Sequence, residues 1–158
     1  MTVTKVPLYT ARFHSPATAA SKLPKVAITV GNPRFLEYDV VDKIKSLAPY
    51  GGVLKIEDRD EFTRALVARL ERPGILTHVI GRVNEIATWT QSAGLVLCCF
   101  EDFEKNPKTW CHREIVAAWW ERQTGDVMYE MTNAGMFVRH RDLHWPDALP
   151  DPQQALEL

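Results

Sequence analysis

The stretch Gly94-Leu95-Val96-Leu97-Cys98-Cys99-Phe100 is an unbroken apolar run, opened by glycine and followed by the charged segment 101–110. A short run without polar alternation, bounded by turn signals, is the pattern of a strand buried on both faces. A second such run, Lys25-Val26-Ala27-Ile28-Thr29-Val30, ends at Gly31-Asn32-Pro33. Around these two strands the pattern changes to helical spacing. Asp58 with Glu61 three positions later reads as a helix start, and Phe62, Leu66 and Leu70 then recur every four residues. Arg59, Arg64, Arg69 and Arg72 fall on the other faces of that helix and read as a solvated side. Val79, Val83, Ile86 and Ala87 stripe a helix over 77–92. A last helix is expected over 111–123, ended by Gly125.

The weaker segments are read in the same way. Residues 6–14 suit a first strand, and 15–24, rich in Ser, Ala and Pro, suit a loop. Val40, Val41, Ile44 and Leu47 stand at helical spacing, which predicts a helix over 38–47 stopped by Pro49. Residues 53–56 suit a third strand, and a further strand is expected within 127–138. Strands alternating with helices predict an α/β fold: one compact domain over 1–138, with a mostly parallel sheet and helices on both faces. Residues 139–158 carry three prolines and are expected to form an irregular tail.

Composition narrows the function classes. The chain has 158 residues, with 46% apolar and 25% charged residues and a net charge of −1. That length suits one domain and a core that needs no disulfide or structural metal. A near-neutral chain is not a bulk electrostatic binder of nucleic acid. Residues 1–100 do hold 13 basic against 9 acidic side chains, which leaves room for a local basic face. No run approaches the roughly 18 apolar residues of a membrane span, and the first residues lack the apolar core of a signal peptide. Three cysteines, two of them adjacent, fit reduced thiols, so a cytoplasmic location is expected.

In a parallel sheet, sites form outside the carboxyl ends of the strands. Two segments qualify: Gly31-Asn32-Pro33-Arg34, and the region from Phe100 to Arg113. The second holds Glu101 and the tripeptide Cys111-His112-Arg113 at a loop-to-helix junction. Helix N-termini stabilise anions, so a thiolate at Cys111 is favoured there. His112 suits a base or a second cation. Arg113 suits a phosphate or carboxylate because its guanidinium donates two parallel bonds. Glu101 suits a general acid or base. The expected site therefore has Cys111, His112 and Glu101 as catalytic residues, with Arg113, Arg34, Asn32 and Cys99 binding the ligand. It implies a tripeptide at the mouth of a crevice that takes a phosphorylated ligand or nucleic-acid component.

Cys99-Phe100-Glu101, followed by a short loop and Cys111-His112-Arg113, resembles the signature of the domain-of-unknown-function family numbered 488. Leu8-Tyr9-Thr10 and Asn32-Pro33-Arg34 agree with its earlier segments, and the likeness spans about residues 7–125. The chain departs from that pattern at Val30-Gly31-Asn32, where many relatives carry Asp-Val-Arg. The resemblance implies a compact α/β domain and a site, but no assigned reaction.

Blander readings stand beside these. Cys98 and Cys99 suit core packing, and Trp110, Trp119 and Trp120 suit a wide buried helix face rather than base stacking. His140 and His144 lack a third ligand for zinc, and Cys99, Cys111 and His112 lack a Cys-x-x-Cys pair, so no metal or other cofactor is expected. The chain has no Gly-rich dinucleotide or phosphate loop, and Cys111-x-Arg113 is too short to wrap an anion as a tyrosine phosphatase does. The rival to a thiol- or acid/base-dependent enzyme is a module that binds nucleic acid or protein, in which the Cys-His-Arg turn is structural. A third reading has the tail docking on a partner or a second copy through Trp145.

Overall fold

The computed structural model describes residues 6–106 and 108–146. Its centre is one six-stranded sheet in the order β3-β2-β4-β1-β5-β6. The strands are β1 (Leu8–Arg12), β2 (Lys25–Ala27), β3 (Val40–Lys43), β4 (Leu95–Cys99), β5 (Tyr129–Met131) and β6 (Phe137–Val138). All neighbours run parallel except β5 and β6, which form an antiparallel hairpin. β4 lies between β2 and β1, and all five of its residues are buried. That position accounts for its unbroken apolar sequence.

Alternation along the strands builds two cores. Leu8, Val26, Ile28, Leu95 and Leu97 face one side, with the long helices α2 (Arg59–Leu70), α3 (Ile75–Trp89) and α4 (His112–Thr124). Ala11, Ala27, Val96 and Cys98 face the other. That side is covered more thinly, by Phe13, Leu23, Leu36 and Ala17 of the five-residue helix α1 (Pro16–Ala20). The helical layer is therefore uneven, and Cys99 looks toward it while Cys98 looks away.

Local chemistry explains the helix ends. Asp58 accepts the Glu61 N–H at 2.9 Å and starts α2. Gly125 ends α4 in the left-handed region at φ 81°, where a side chain is unfavourable. Cys111 is the residue before α4, and the Glu114 carboxylate accepts its N–H at 3.2 Å.

Four expectations need correction. Residues 38–47 form β3 and a 3₁₀ turn (Lys45–Leu47), not a helix. Val40 and Val41 are β-branched and pack on opposite faces of the sheet, which helical spacing over so short a window cannot distinguish. Residues 53–56 lie mostly in a second 3₁₀ turn (Gly51–Lys55), entered by Gly51 at φ 67°. Within the expected loop, α1 starts on Pro16, whose fixed φ suits a first helical position. Arg69 is buried rather than solvated. Its guanidinium lies 4.0 Å from the Tyr50 ring and donates to the Tyr50 carbonyl.

The three tryptophans are core residues, as the helical spacing indicated: Trp119 and Trp120 are buried and Trp110 packs against the same cluster. Residues 139–146 form no regular element. Leu143 and Trp145 nonetheless pack on the main core, and Arg122 lies 4.4 Å over the Trp145 ring. Residues 147–158, most of the expected tail, lie outside the described residues. Among the described residues no helix is long and apolar enough to cross a membrane.

Candidate functional site

The carboxyl edges of β2, β4, β1 and β5 meet the first turn of α4. His112 and Arg113 start that turn and reach opposite ways along the edge. His112 reaches past β4 to the end of β2, and its Nε2 donates to the Ile28 carbonyl. Arg113 reaches over β1 to β5, where Nε and Nη2 donate to the two carboxylate oxygens of Glu130 at 2.9 Å each. Its Nη2 also donates to the Glu101 carbonyl at 2.9 Å.

On the His112 side the sulfurs of Cys99 and Cys111 lie 2.6 Å apart. The Nδ1 of His112 stands 3.3 Å from Cys99 Sγ and 3.6 Å from Cys111 Sγ. Oε2 of Glu101 lies 3.4 Å from Cys99 Sγ. The bond to Ile28 requires a proton on Nε2, so Nδ1 is the ring atom left to serve the sulfurs. All three cysteines are free thiols.

The electrostatics separate the two thiols. Burial alone pushes Cys111 up, but the Cys99 hydrogen bond, the His112 ring and the Arg113 guanidinium outweigh it and hold Cys111 well below the usual thiol range. Burial, followed by the hydrogen bond and charge of Cys111, pushes Cys99 well above it. Burial lowers His112, yet the Cys111 charge and hydrogen bond win and raise it. Glu101 is raised by burial of its carboxyl and then by the Cys111 charge. These directions favour negative charge on Cys111 beside the His112 ring and the proton of the thiol pair on Cys99. Cys98, on the opposite face, is pushed to about 12 by burial.

Several sequence expectations shift here. Cys111, His112, Cys99 and Glu101 do come together. The tripeptide does not stand at a crevice mouth, however: Cys111, His112 and Arg113 are only 2%, 6% and 1% exposed, while Glu101 is exposed. Arg113 gives Nε and Nη2 to Glu130 and Nη2 also to the Glu101 carbonyl. Asn32 and Arg34 are exposed and lie apart from the cluster. Asn32 accepts from Lys43 Nζ at 3.0 Å, and the Arg34 carbonyl accepts from His14 at 2.8 Å. From that strand end, the Ile28 carbonyl meets the cluster by accepting from His112 Nε2.

Cys99, Cys111 and His112 are the group among the described residues able to offer three metal ligands, within 4.8 Å of one another. Two thiolates on one tetrahedral zinc sit roughly 3.8 Å apart, given Zn–S bonds of about 2.3 Å. The two sulfurs stand at 2.6 Å, closer than that spacing.

Residues the sequence reading passed over complete the edge. Glu130 lies on β5 between Tyr129 and Met131, and its signal was a charge inside an otherwise apolar strand. Glu114 is 3% exposed and holds both Arg141 Nε, at 2.5 Å, and the Cys111 N–H. The Thr10 hydroxyl donates to Glu130 Oε1 at 2.7 Å, which leaves its oxygen to accept from His140 Nε2 at 2.7 Å. His140 thus has a structural partner.

Comparison with family models, curated proteins and solved structures finds no match to this chain.

Proposed function

We propose that the protein is a thiol-dependent enzyme, with Cys111 as nucleophile and Cys99 as its resolving thiol, acting on a small disulfide. The observation that supports this reading is the contact between the two sulfurs, flanked by His112 Nδ1 on one side and the Glu101 carboxylate on the other.

The chemistry balances as follows. The Cys111 thiolate attacks one sulfur of R–S–S–R. The substrate S–S bond breaks, a Cys111–S–S–R mixed disulfide forms, and the first RS⁻ leaves, taking a proton from the His112 imidazolium. Cys99 then gives its proton to Glu101 and attacks the Cys111 sulfur, and the second RS⁻ leaves. Two electrons pass from the protein dithiol to the substrate, and the protein keeps a Cys99–Cys111 disulfide. A thiol reductant returns the two electrons by the reverse exchange.

The test uses an aromatic disulfide that releases a coloured thiolate. The reduced wild-type protein is expected to release two thiolates per chain and retain no adduct by mass. Cys99→Ser should release one and keep the mixed disulfide, and Cys111→Ser should release none from the folded protein.

The near-complete burial of Cys111, His112 and Arg113 favours a second reading, a binding module in which this turn is structural. Under that reading the folded wild type releases no thiolate and all three cysteines react only after unfolding.

A further inference from the structure

On the Arg113 side of the same edge lies a cavity of about 250 Å³, walled by Phe103, Met131 and Val138 as well as by charged groups. Its most unusual feature is a donor. Arg113 is 1% exposed; its Nε and Nη2 are taken by Glu130 and the Glu101 carbonyl, yet its Nη1 has no hydrogen-bond partner among the described residues. Buried guanidinium N–H groups are costly to leave unpaired, so such an atom marks a place built to receive an acceptor. Phe103 covers the guanidinium face at 3.8 Å and confines its approach to the plane of the fork.

A second guanidinium stands in the same wall. Arg12 Nε is also buried without a hydrogen bond, although its charge faces Asp102 at 3.5 Å, and its Nη2 donates to Asn133 at 3.2 Å. The wall acids are spoken for. Glu130 is held by Arg113, Glu114 by Arg141 and Asp102 by Arg12, while Glu104 accepts the Asn133 N–H at 2.7 Å. What the cavity has left to offer is N–H donors and apolar surface.

The charges identify the ligand class. Four arginines and four carboxylates line the cavity, so their formal charges cancel. With no net positive charge in the lining, a second negative charge on the ligand costs more than the first, which disfavours a dianionic phosphate. A single carboxylate suits the unpaired Arg113 Nη1 together with the Arg12 Nε–H, which makes no hydrogen bond and faces Asp102 at 3.5 Å, and an apolar body suits Phe103, Met131 and Val138. A cavity of about 250 Å³ limits the ligand to a small acid. We infer that this cavity is a binding site for a small monocarboxylate with an apolar body, recognised by Arg113 Nη1 and Arg12 Nε. The inference is independent of the thiol chemistry.

The test titrates the ¹⁵N-labelled full chain with benzoate, benzamide and inorganic phosphate, following the arginine Nε–H resonances. Benzoate is expected to shift those of Arg12 and Arg113 saturably, and to bind at least tenfold more tightly than benzamide or phosphate. Arg12→Gln should weaken benzoate at least tenfold. Val138→Trp narrows the cavity from a half-exposed strand position without altering a charge, and should weaken it similarly. Arg34→Ala, at a remote exposed position, should bind as the wild type does. The assignment is overturned by an absence of saturable shifts, by phosphate or benzamide binding as tightly as benzoate, or by benzoate binding Arg12→Gln and Val138→Trp undiminished.

Discussion

Arg113 grips Glu130 with two parallel hydrogen bonds of 2.9 Å, and this pair joins the start of α4 to β5 in the interior. Buried pairs are costly to halve, because the partner left behind keeps its charge without its counter-charge. Glu130→Gln is therefore expected to destabilise the fold by about 3–5 kcal/mol. Replacing both residues together, with Met at 113 and Leu at 130, should cost clearly less than the two single losses added. Denaturant unfolding of the four proteins in this cycle measures the difference.

The lowered pKa of Cys111 predicts how stability responds to pH. A thiol whose folded pKa is depressed contributes stability that is complete above the unfolded value, about 8.5. That contribution fades as pH falls through the folded value. The melting-temperature advantage of reduced wild type over Cys111→Ser should therefore narrow as pH is lowered from alkaline toward acid. His112 has the opposite sign. Its raised pKa contributes fully below about 6.5 and is lost as pH rises through the folded value, so the advantage over His112→Asn should narrow on the alkaline side.

In the proposed exchange Glu101 accepts the Cys99 proton in the second step and has no part in the first. Glu101→Gln should leave the rate of the first thiolate release near wild type. The second release should slow by roughly a hundredfold or more, the usual worth of a positioned general base. Stopped-flow absorbance separates the two phases, and equal slowing of both would remove Glu101 from this role.

Two positions at helix ends test the local reading of the fold. Asp58→Ala removes the side-chain acceptor at the start of α2 and should cost about 1 kcal/mol. Gly125→Ala forces a side chain into the left-handed region at φ 81° and should cost about 1–2 kcal/mol. Thermal unfolding reports both, and neither should alter thiol release.

The parts of the molecule legible in the sequence are those where one local pattern has one physical solution. Leu95 to Cys99 could only be a buried strand, and Asp58 with the Phe62, Leu66 and Leu70 spacing could only start an amphipathic helix. The Cys-x-Glu and Cys-His-Arg segments read as one site because both follow the same strand. Val40 to Leu47 misled because four apolar residues at that spacing satisfy a helix, or a short edge strand followed by a tight turn. The true partner of Arg113 was hidden for a different reason. Glu130 is separated from it by all of α4 and by the chain reversal at Gly125, and no local pattern encodes that meeting. The accessibility of Cys111 was equally unreadable, since its burial depends on contacts between segments far apart in the chain, such as His112 with Ile28.

His112 and Arg113 are consecutive, yet each belongs to a different chamber at the edge of the sheet. An α-helix turns about 100° per residue, so this divergence is fixed by the register in which α4 begins. Inserting or deleting one residue ahead of His112 would swing the imidazole off the sulfurs and the guanidinium off Glu130 in a single step. Sequence drift can therefore lengthen the preceding loop freely only at points where its end still delivers Cys111 in the same rotational phase.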